Sequence, residues 1–408
     1  MTITCGIDWA EGHHDVALLD ADGRRIAKLR IDTGLTGFTE LMTLLAEHAT
    51  DPTSVSVAIE TDKVLIVAAL RAAGFDVYAI NPRAVARYRE RWGQAGGKSD
   101  RGDALVLANV LRTDRHLHRL LPATSETGRA VKVLARQHQE AIWVRQATVS
   151  RLRSLLIEYY PNALTAFPIL THHAALHVLA AAPTPTAAAR LTRTRMATLL
   201  RRAGRRNDPG LAERIVAQLQ TPALRQPSPV EAGYGRAVAA LLAVVTVMQV
   251  GIADLEAALA TELGRHPTAG LLRSVPGLGP ILAARVLGEI GDDTTRFATA
   301  QNLRAFAGTA PITKASGKST VVRARHIRNR RLGDACHWWA FASITKSTGA
   351  RAHYDQRRAT GDSHNAALRN LANKLLGRLW WCHTNNQPWR EDAAWPQSQP
   401  PNKPPLDT

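Results

Sequence analysis

The sequence predicts an α/β amino-terminal domain, a long helical middle and a mainly α-helical carboxy-terminal domain. Three observations predict this. Residues 1–80 alternate short apolar runs with turn signals and then with helical spacing. Two long apolar seams follow, one from Ser125 to Tyr160 and one from Gly233 to Leu263. After residue 266, short helical pieces are punctuated by Pro and Gly. At 408 residues with 45% hydrophobic composition, the chain can build more than one core.

The elements follow in order. Ile3-Thr4-Cys5-Gly6-Ile7 reads as a buried strand that delivers Asp8 at its end. Asp15 to Leu19 is a second strand, and Asp20-Ala21-Asp22-Gly23 is a hairpin signal, because glycine supplies the positive φ of a tight turn. Arg25 to Ile31 returns as a third strand. Phe38, Leu41, Met42, Leu44 and Leu45 keep helical spacing. Ser54 to Ile59 is a fourth strand with Glu60 at its end, Val64 to Ala72 a helix, and Phe75 to Ile80 a fifth strand. Asn81-Pro82 opens the next helix, and a helix starting at Asp100 closes the unit near residue 115. A three-stranded meander followed by βα units is the pattern of the ribonuclease-H-like fold, assigned here to residues 1–120.

Residues 121–265 form the helical middle. Leu241, Val245, Met248, Ile252, Leu255 and Leu259 step by four and three, a heptad seam that can pair within the chain or as a coiled coil between chains. Between about 165 and 230, many prolines and a basic run from Arg190 to Arg206 read as small helices and a mobile linker. The last domain is assigned to 266–385. There Ser274-Val275-Pro276-Gly277-Leu278-Gly279-Pro280 joins two short helices. Gly277 and Gly279 give it a helix-hairpin-helix signature, in which backbone N–H groups approach a phosphate. Residues 386–408 read as a disordered tail.

Charge points to the partner. The formal net charge is +18, and a chain this basic meets nucleic acid. Between Phe297 and Gly333 there is no acidic residue, while Lys314, Lys318, Arg323, Arg325, Arg328, Arg330 and Arg331 fall in that stretch. In its middle, Ala315-Ser316-Gly317-Lys318-Ser319 offers hydroxyls beside cations. The three cysteines are far apart and form no CxxC, which fits a reducing cytoplasm rather than a zinc ribbon. No stretch of about 18 uninterrupted apolar residues occurs, so no membrane span is expected.

The acidic residues carry the chemistry. Asp100 and Asp103 sit three apart at a helix start, on one side of it. Two such carboxylates repel, so a cation is expected in front of them. Phosphodiester cleavage by an acidic cluster uses carboxylates from separate elements, which hold divalent ions about 3.5–4 Å apart. Asp8, Glu60, Asp100 and Asp103 fit in type and in their positions at element ends. Mg²⁺ or Mn²⁺ suits such oxygen donors.

Gly6-Ile7-Asp8, Ile59-Glu60-Thr61, Lys98-Ser99-Asp100-Arg101-Gly102-Asp103-Ala104, the Ser274–Pro280 hairpin and Ala307-Gly308 through Ser316-Gly317 together resemble one family. It is the DEDD-motif insertion-sequence transposases, related to the pilin-gene DNA invertases. The resemblance implies a Holliday-junction-resolvase-like amino-terminal domain with Asp8, Glu60, Asp100 and Asp103 as its metal-binding tetrad. It implies a serine nucleophile in the carboxy-terminal transposase domain, Ser316 by position in the motif, with Ser319 and Ser274 as rivals. It further implies donor and target DNA as substrates, a structured guide RNA from the element, and dimers or tetramers in which the acidic site of one subunit meets the serine of another. A bacterial, nucleoid-associated location follows. Two other readings use the same residues: a junction-resolving nuclease without a covalent intermediate, and a non-catalytic nucleic-acid-binding protein.

Overall fold

The computed structural model describes residues 3–90, 100–205, 208–317 and 319–396. It divides into two compact units, Met1–Ala123 and Thr124–Thr408.

The first unit is a sheet with helices on both faces. Its strands are β1 (Ile3–Trp9), β2 (His13–Leu19), β3 (Arg25–Asp32), β4 (Val55–Ile59) and β5 (Asp76–Ala79). Among the described residues they form one sheet in the order β3-β2-β1-β4-β5. β1, β2 and β3 pair antiparallel, while β1, β4 and β5 run parallel. The tip of the β2–β3 hairpin is Gly23 at φ 87°, and the Asp20 carboxylate accepts from the Arg24 N–H at 2.8 Å. The helices are α1 (Leu35–His48), α2 (Leu65–Ala72), α3 (Pro82–Glu90) and α4 (Asp100–Asp114).

Strand alternation sends Cys5, Ile7, Val16, Leu18, Val57 and Ile59 into a core with Leu41 and Leu45 of α1 and Ile66, Val67 and Leu70 of α2. The other face packs Ala58, Tyr78 and Ile80 against Val106, Leu107, Val110 and Leu111 of α4 and Val85 of α3. Each fully buried Leu here contributes about 1.5–3 kcal/mol. Helix α4 lies directly on β1, at Gly6. A Cβ on Gly6 would collide with the Ala104 carbonyl, so only glycine permits this approach.

The second unit is built on two long helices, α5 (Glu126–Tyr159) and, after α6 (Pro161–Ala166), α7 (His173–Ala181), α8 (Pro185–Ala188), α9 (Arg193–Arg202) and α10 (Pro209–Gln220), α11 (Ser228–Arg265). They run antiparallel. His138 of α5 meets Glu256 of α11, and Tyr159 stacks on Tyr234 at 5.0 Å. One core joins Leu152, Leu156 and Tyr159 to Val238, Leu242, Val245 and helices α6 to α10. A second joins Val131 and Ala135 to Leu259, Leu263 and the elements that follow. Those elements are α12 (Ala269–Ser274), α13 (Pro280–Ile290), α14 (Ala300–Ala307), β6 (Ile312–Ser316), β7 (Ser319–Arg323), α15 (Arg330–Ser343), α16 (Thr348–Ala359), α17 (His364–Thr384) and α18 (Glu391–Ala394).

Three expectations change here. The proline-rich stretch is folded, not a mobile linker. Pro161, Pro185 and Pro209 stand in the first turn of α6, α8 and α10, where a missing N–H costs nothing. Met196, Leu199 and Leu200 of the basic run are buried. The seam of α11 is rotated from the predicted one. Val238, Leu242, Val245, Ile252, Leu259 and Leu263 are buried, while Leu241, Met248 and Leu255 are half-buried at its flank. Of the predicted disordered tail, residues 386–396 are described and held in place: the Trp389 side chain is buried and the Trp389 backbone N–H donates to Ser274 Oγ at 2.8 Å, while residues 397–408 lie outside the described residues. By length and composition alone α11 could also cross a membrane, but its buried stripe faces α5.

Candidate active site

The acidic residues gather where β1 and β4 end. Their parallel register pairs Ile7 with Ile59, so Asp8 and Glu60 follow at the same end of adjacent strands. Asp8 lies opposite Asp15 across the antiparallel β1–β2 pair. Helix α4, seated on Gly6, brings Asp103 to the same place. Asp8, Glu60 and Asp103 line one pocket of about 470 Å³, together with Trp9, His13, Asp15 and Arg89. Asp100 begins α4 one turn earlier. Lys98 and Ser99, and the side chain of Asp100, lie outside the described residues.

Among the described residues, arginines hold two of these carboxylates. Arg89 of α3 holds Asp103 Oδ1 through Nε at 2.7 Å and Nη2 at 2.6 Å. Arg30 of β3 holds Asp15 through Nε at 3.1 Å and Nη2 at 2.6 Å. Asp15 and Asp103 are thus each paired with an arginine. Among the described residues, no three Asp, Glu, His or Cys side chains are arranged to enclose an ion as they stand. Arg89 is instead the cation at Asp103.

The second unit presents the predicted serine on a hairpin. Ser316 ends β6, exposed, and pairs in register with Ser319 across a turn whose Gly317 has φ 56°. Arg323 ends β7, also exposed. Lys318 and the side chain of Lys314 lie outside the described residues. Ser274 is engaged twice, donating to the Leu271 carbonyl at 2.6 Å and accepting from the Trp389 N–H. That makes it a structural hydroxyl.

The remaining predicted contacts divide. Gly277 has φ 79°, and a Cβ there would meet the Ser343 backbone at 2.7 Å, so it serves packing. Gly279 faces open space. Arg331 is tied to α5 by Glu140 at 2.7 Å and by the Arg136 carbonyl. Arg328 and Arg330 line a polar cleft of about 430 Å³, while Arg325 is half-buried.

Comparison with known proteins decides the family. Residues 5–161 match a transposase family model of DEDD type, and residues 269–355 match the model of the transposase IS116/IS110/IS902 family. The chain is 47% identical over 400 residues, 97% of each chain, to the mini-circle protein for IS117 of Streptomyces coelicolor. It belongs to the IS110-type transposases. The 43.6 kDa protein of insertion element IS110, also of Streptomyces coelicolor, is 32% identical over 69% of this chain and 70% of its own. The 42 kDa protein of insertion element IS900 of Mycobacterium paratuberculosis is 28% identical over 93% of this chain and 94% of its own. The resemblance read from the sequence thus holds. In this transposase the first model spans the α/β unit and all of α5, and the second spans the α12–α13 hairpin, the Ser316 hairpin and α15.

Sequence reasoning missed Arg89 and Trp143. Arg89 is 14 residues before Asp103, and only the run of Arg83, Arg87 and Arg89 along one short helix hinted at it. Trp143 of α5 lies under both Arg330 and Arg331, at 4.9 and 5.0 Å. No local pattern links residues so far apart in sequence.

Proposed function

We propose that the chain is the DNA transposase of an insertion sequence, with Asp8, Glu60, Asp100 and Asp103 as its acidic site and Ser316 as its nucleophile. The observation that carries this reading is the shared pocket of Asp8, Glu60 and Asp103, on an α/β unit whose strand order, β3-β2-β1-β4-β5, supports the expected ribonuclease-H-like fold. The donor set is made of carboxylate oxygens, which suits Mg²⁺ or Mn²⁺, and Arg89 marks the pocket as a place for positive charge. When bound, the metal supplies charge stabilisation for the attacking and leaving oxygens.

The protein's own residues do the rest. Asp8 stands near the end of β1, Glu60 follows β4 and Asp103 is carried by α4, so holding an ion would require Arg89 to release Asp103 and the carboxylates to turn toward it. Ser316 loses its proton, its Oγ bonds to the phosphorus, and the bond from phosphorus to the departing DNA oxygen breaks as that oxygen takes up a proton. Arg323 and its neighbours hold the phosphate. A guide RNA encoded by the element would choose the donor and target DNA, and the net charge of +18 suits both nucleic acids.

The test is transposition of a marked element. Asp8→Asn or Asp103→Asn abolishes strand exchange while DNA binding persists. Ser316→Ala removes the denaturation-resistant protein–DNA adduct. An adduct that survives in Ser316→Ala and vanishes in Ser319→Ala moves the nucleophile across the turn. Hydrolysed ends with no adduct in the unaltered protein would replace this reading with a junction-resolving nuclease.

A further inference from the structure

The second unit carries a row of aromatic side chains on its surface. Trp338 and Phe341 of α15 are each 50% exposed. They meet edge to face with ring centres 6.2 Å apart. His337 abuts Trp338 at 5.6 Å, and His364 of α17 abuts Phe341 at 6.3 Å. Two large exposed rings held in one row offer flat apolar faces on which another ring can stack.

The row continues into a cationic cleft. His337 also lines the cleft of about 430 Å³ that holds Arg328, Arg330, Arg369 and Asn365. Among the described residues, those three arginines form no ion pair with a carboxylate, and Arg330 instead lies over the Trp143 ring. Asp334 at the cleft is already engaged, by Gln139 at 2.8 Å and Arg285 at 3.8 Å.

We propose that this surface binds an unpaired stretch of nucleic acid, with phosphates in the arginine cleft and bases stacked on Trp338 and Phe341. An unpaired strand offers a π-face on every base, and exposed aromatic rings beside cations are what such a strand uses. A duplex keeps its bases stacked inside and gains only from the cations. A second copy of this chain would meet the cleft with like charge, since each copy carries +18. The proposal rests on the transposase reading only in needing a nucleic-acid substrate; it adds the form of the strand and the residues that sense it. RNA and single-stranded DNA share this chemistry.

The test measures binding of the full-length chain to short labelled oligonucleotides by fluorescence anisotropy. A chelator is present, so no turnover intervenes. One sequence without self-complementarity is used as RNA, as DNA and as a DNA duplex. Trp338→Ala and Phe341→Ala should each weaken single-strand binding by about five- to a hundredfold and leave duplex binding unchanged. Trp338→Tyr should keep the affinity. Trp381→Ala, an exposed tryptophan outside the row, should change nothing. Arg330→Ala should weaken single-strand and duplex binding together and lower the salt slope by about one. The larger loss, on RNA or on DNA, names the source. Equal losses on single strand and duplex, or none on either, overturn the proposal. A changed sedimentation coefficient in Trp338→Ala without a change in affinity also overturns it, and makes the row a protein interface. These readouts do not involve the acidic site or Ser316, so they stand whether or not those residues are catalytic.

Discussion

Arg89 places two N–H groups on a single oxygen of Asp103, at 2.7 and 2.6 Å. The guanidinium supplies positive charge at the carboxylate that the proposed function makes a metal donor. Arg89 and a metal should therefore compete for Asp103. Arg89→Gln is predicted to tighten Mn²⁺ binding by about tenfold, the equivalent of 1.4 kcal/mol, read by calorimetric titration of the DNA-free protein. Unchanged affinity would show that Arg89 and the metal do not share Asp103.

Gly6 sets the distance between α4 and the sheet. Gly6→Ala forces a methyl group against the Ala104 carbonyl, which is backbone and cannot turn aside. The expected cost is about 1–3 kcal/mol of stability, with strand exchange lost as Asp103 moves away from Asp8. Urea unfolding and a transposition assay measure the two effects. A fully active, equally stable Gly6→Ala protein would show that α4 does not rest on β1.

The folded state of residues 161–220 has a direct test. Met196 is fully buried in the core shared by α5, α11 and the short helices. Met196→Ala should cost about 2–5 kcal/mol. In a mobile linker the same change would leave the unfolding midpoint where it was.

His138 gives a pH dependence. Its Nδ1 accepts from Arg285 Nη2 at 3.3 Å, and its Nε2–H donates to Glu256 Oε1 at 3.1 Å. Burial first, and the nearby Arg285 charge next, hold its pKa below the usual imidazole range, against the pull of Glu256. A depressed folded pKa means the unfolded chain takes up the proton first. Stability is thus complete above about pH 6.5 and falls as pH drops below it. Burial depresses His14, His118, His337, His353 and His383 in the same direction. His138→Gln should flatten the slope of the urea midpoint against pH in part, and an unchanged slope would exclude His138 from it.

Much of the α/β unit was legible because its signals are local. Alternating apolar residues, the Asp-Gly turn and Asn81-Pro82 mark strand and helix ends without knowledge of their partners. Asp8, Glu60 and Asp103 could be placed together because strand order alone brings element ends to one edge. The helical unit was harder for physical reasons. Helix α11 carries Ala and Val on nearly every side, with Val244, Val247 and Val250 exposed, so its periodicity is blurred and the buried stripe was read slightly rotated. A proline at the first turn of a helix looks, in sequence, like a proline in a loop. Trp389 holds the tail through a contact with Ser274, 115 residues away, which no window of sequence contains.

The α5–α11 pair has a consequence for how such chains can diversify. Helices α6 to α10 leave from the end of α5 and return at the start of α11, so they form a cap on a helical hairpin. The two family models stop at residue 161 and resume at 269, leaving this cap and α11 between them. A cap attached this way can be enlarged, shortened or exchanged for a plain turn while residues 266–396 keep their own core. Any replacement must still supply apolar cover for Leu152, Leu156, Val238, Leu242 and Val245, which the cap now buries.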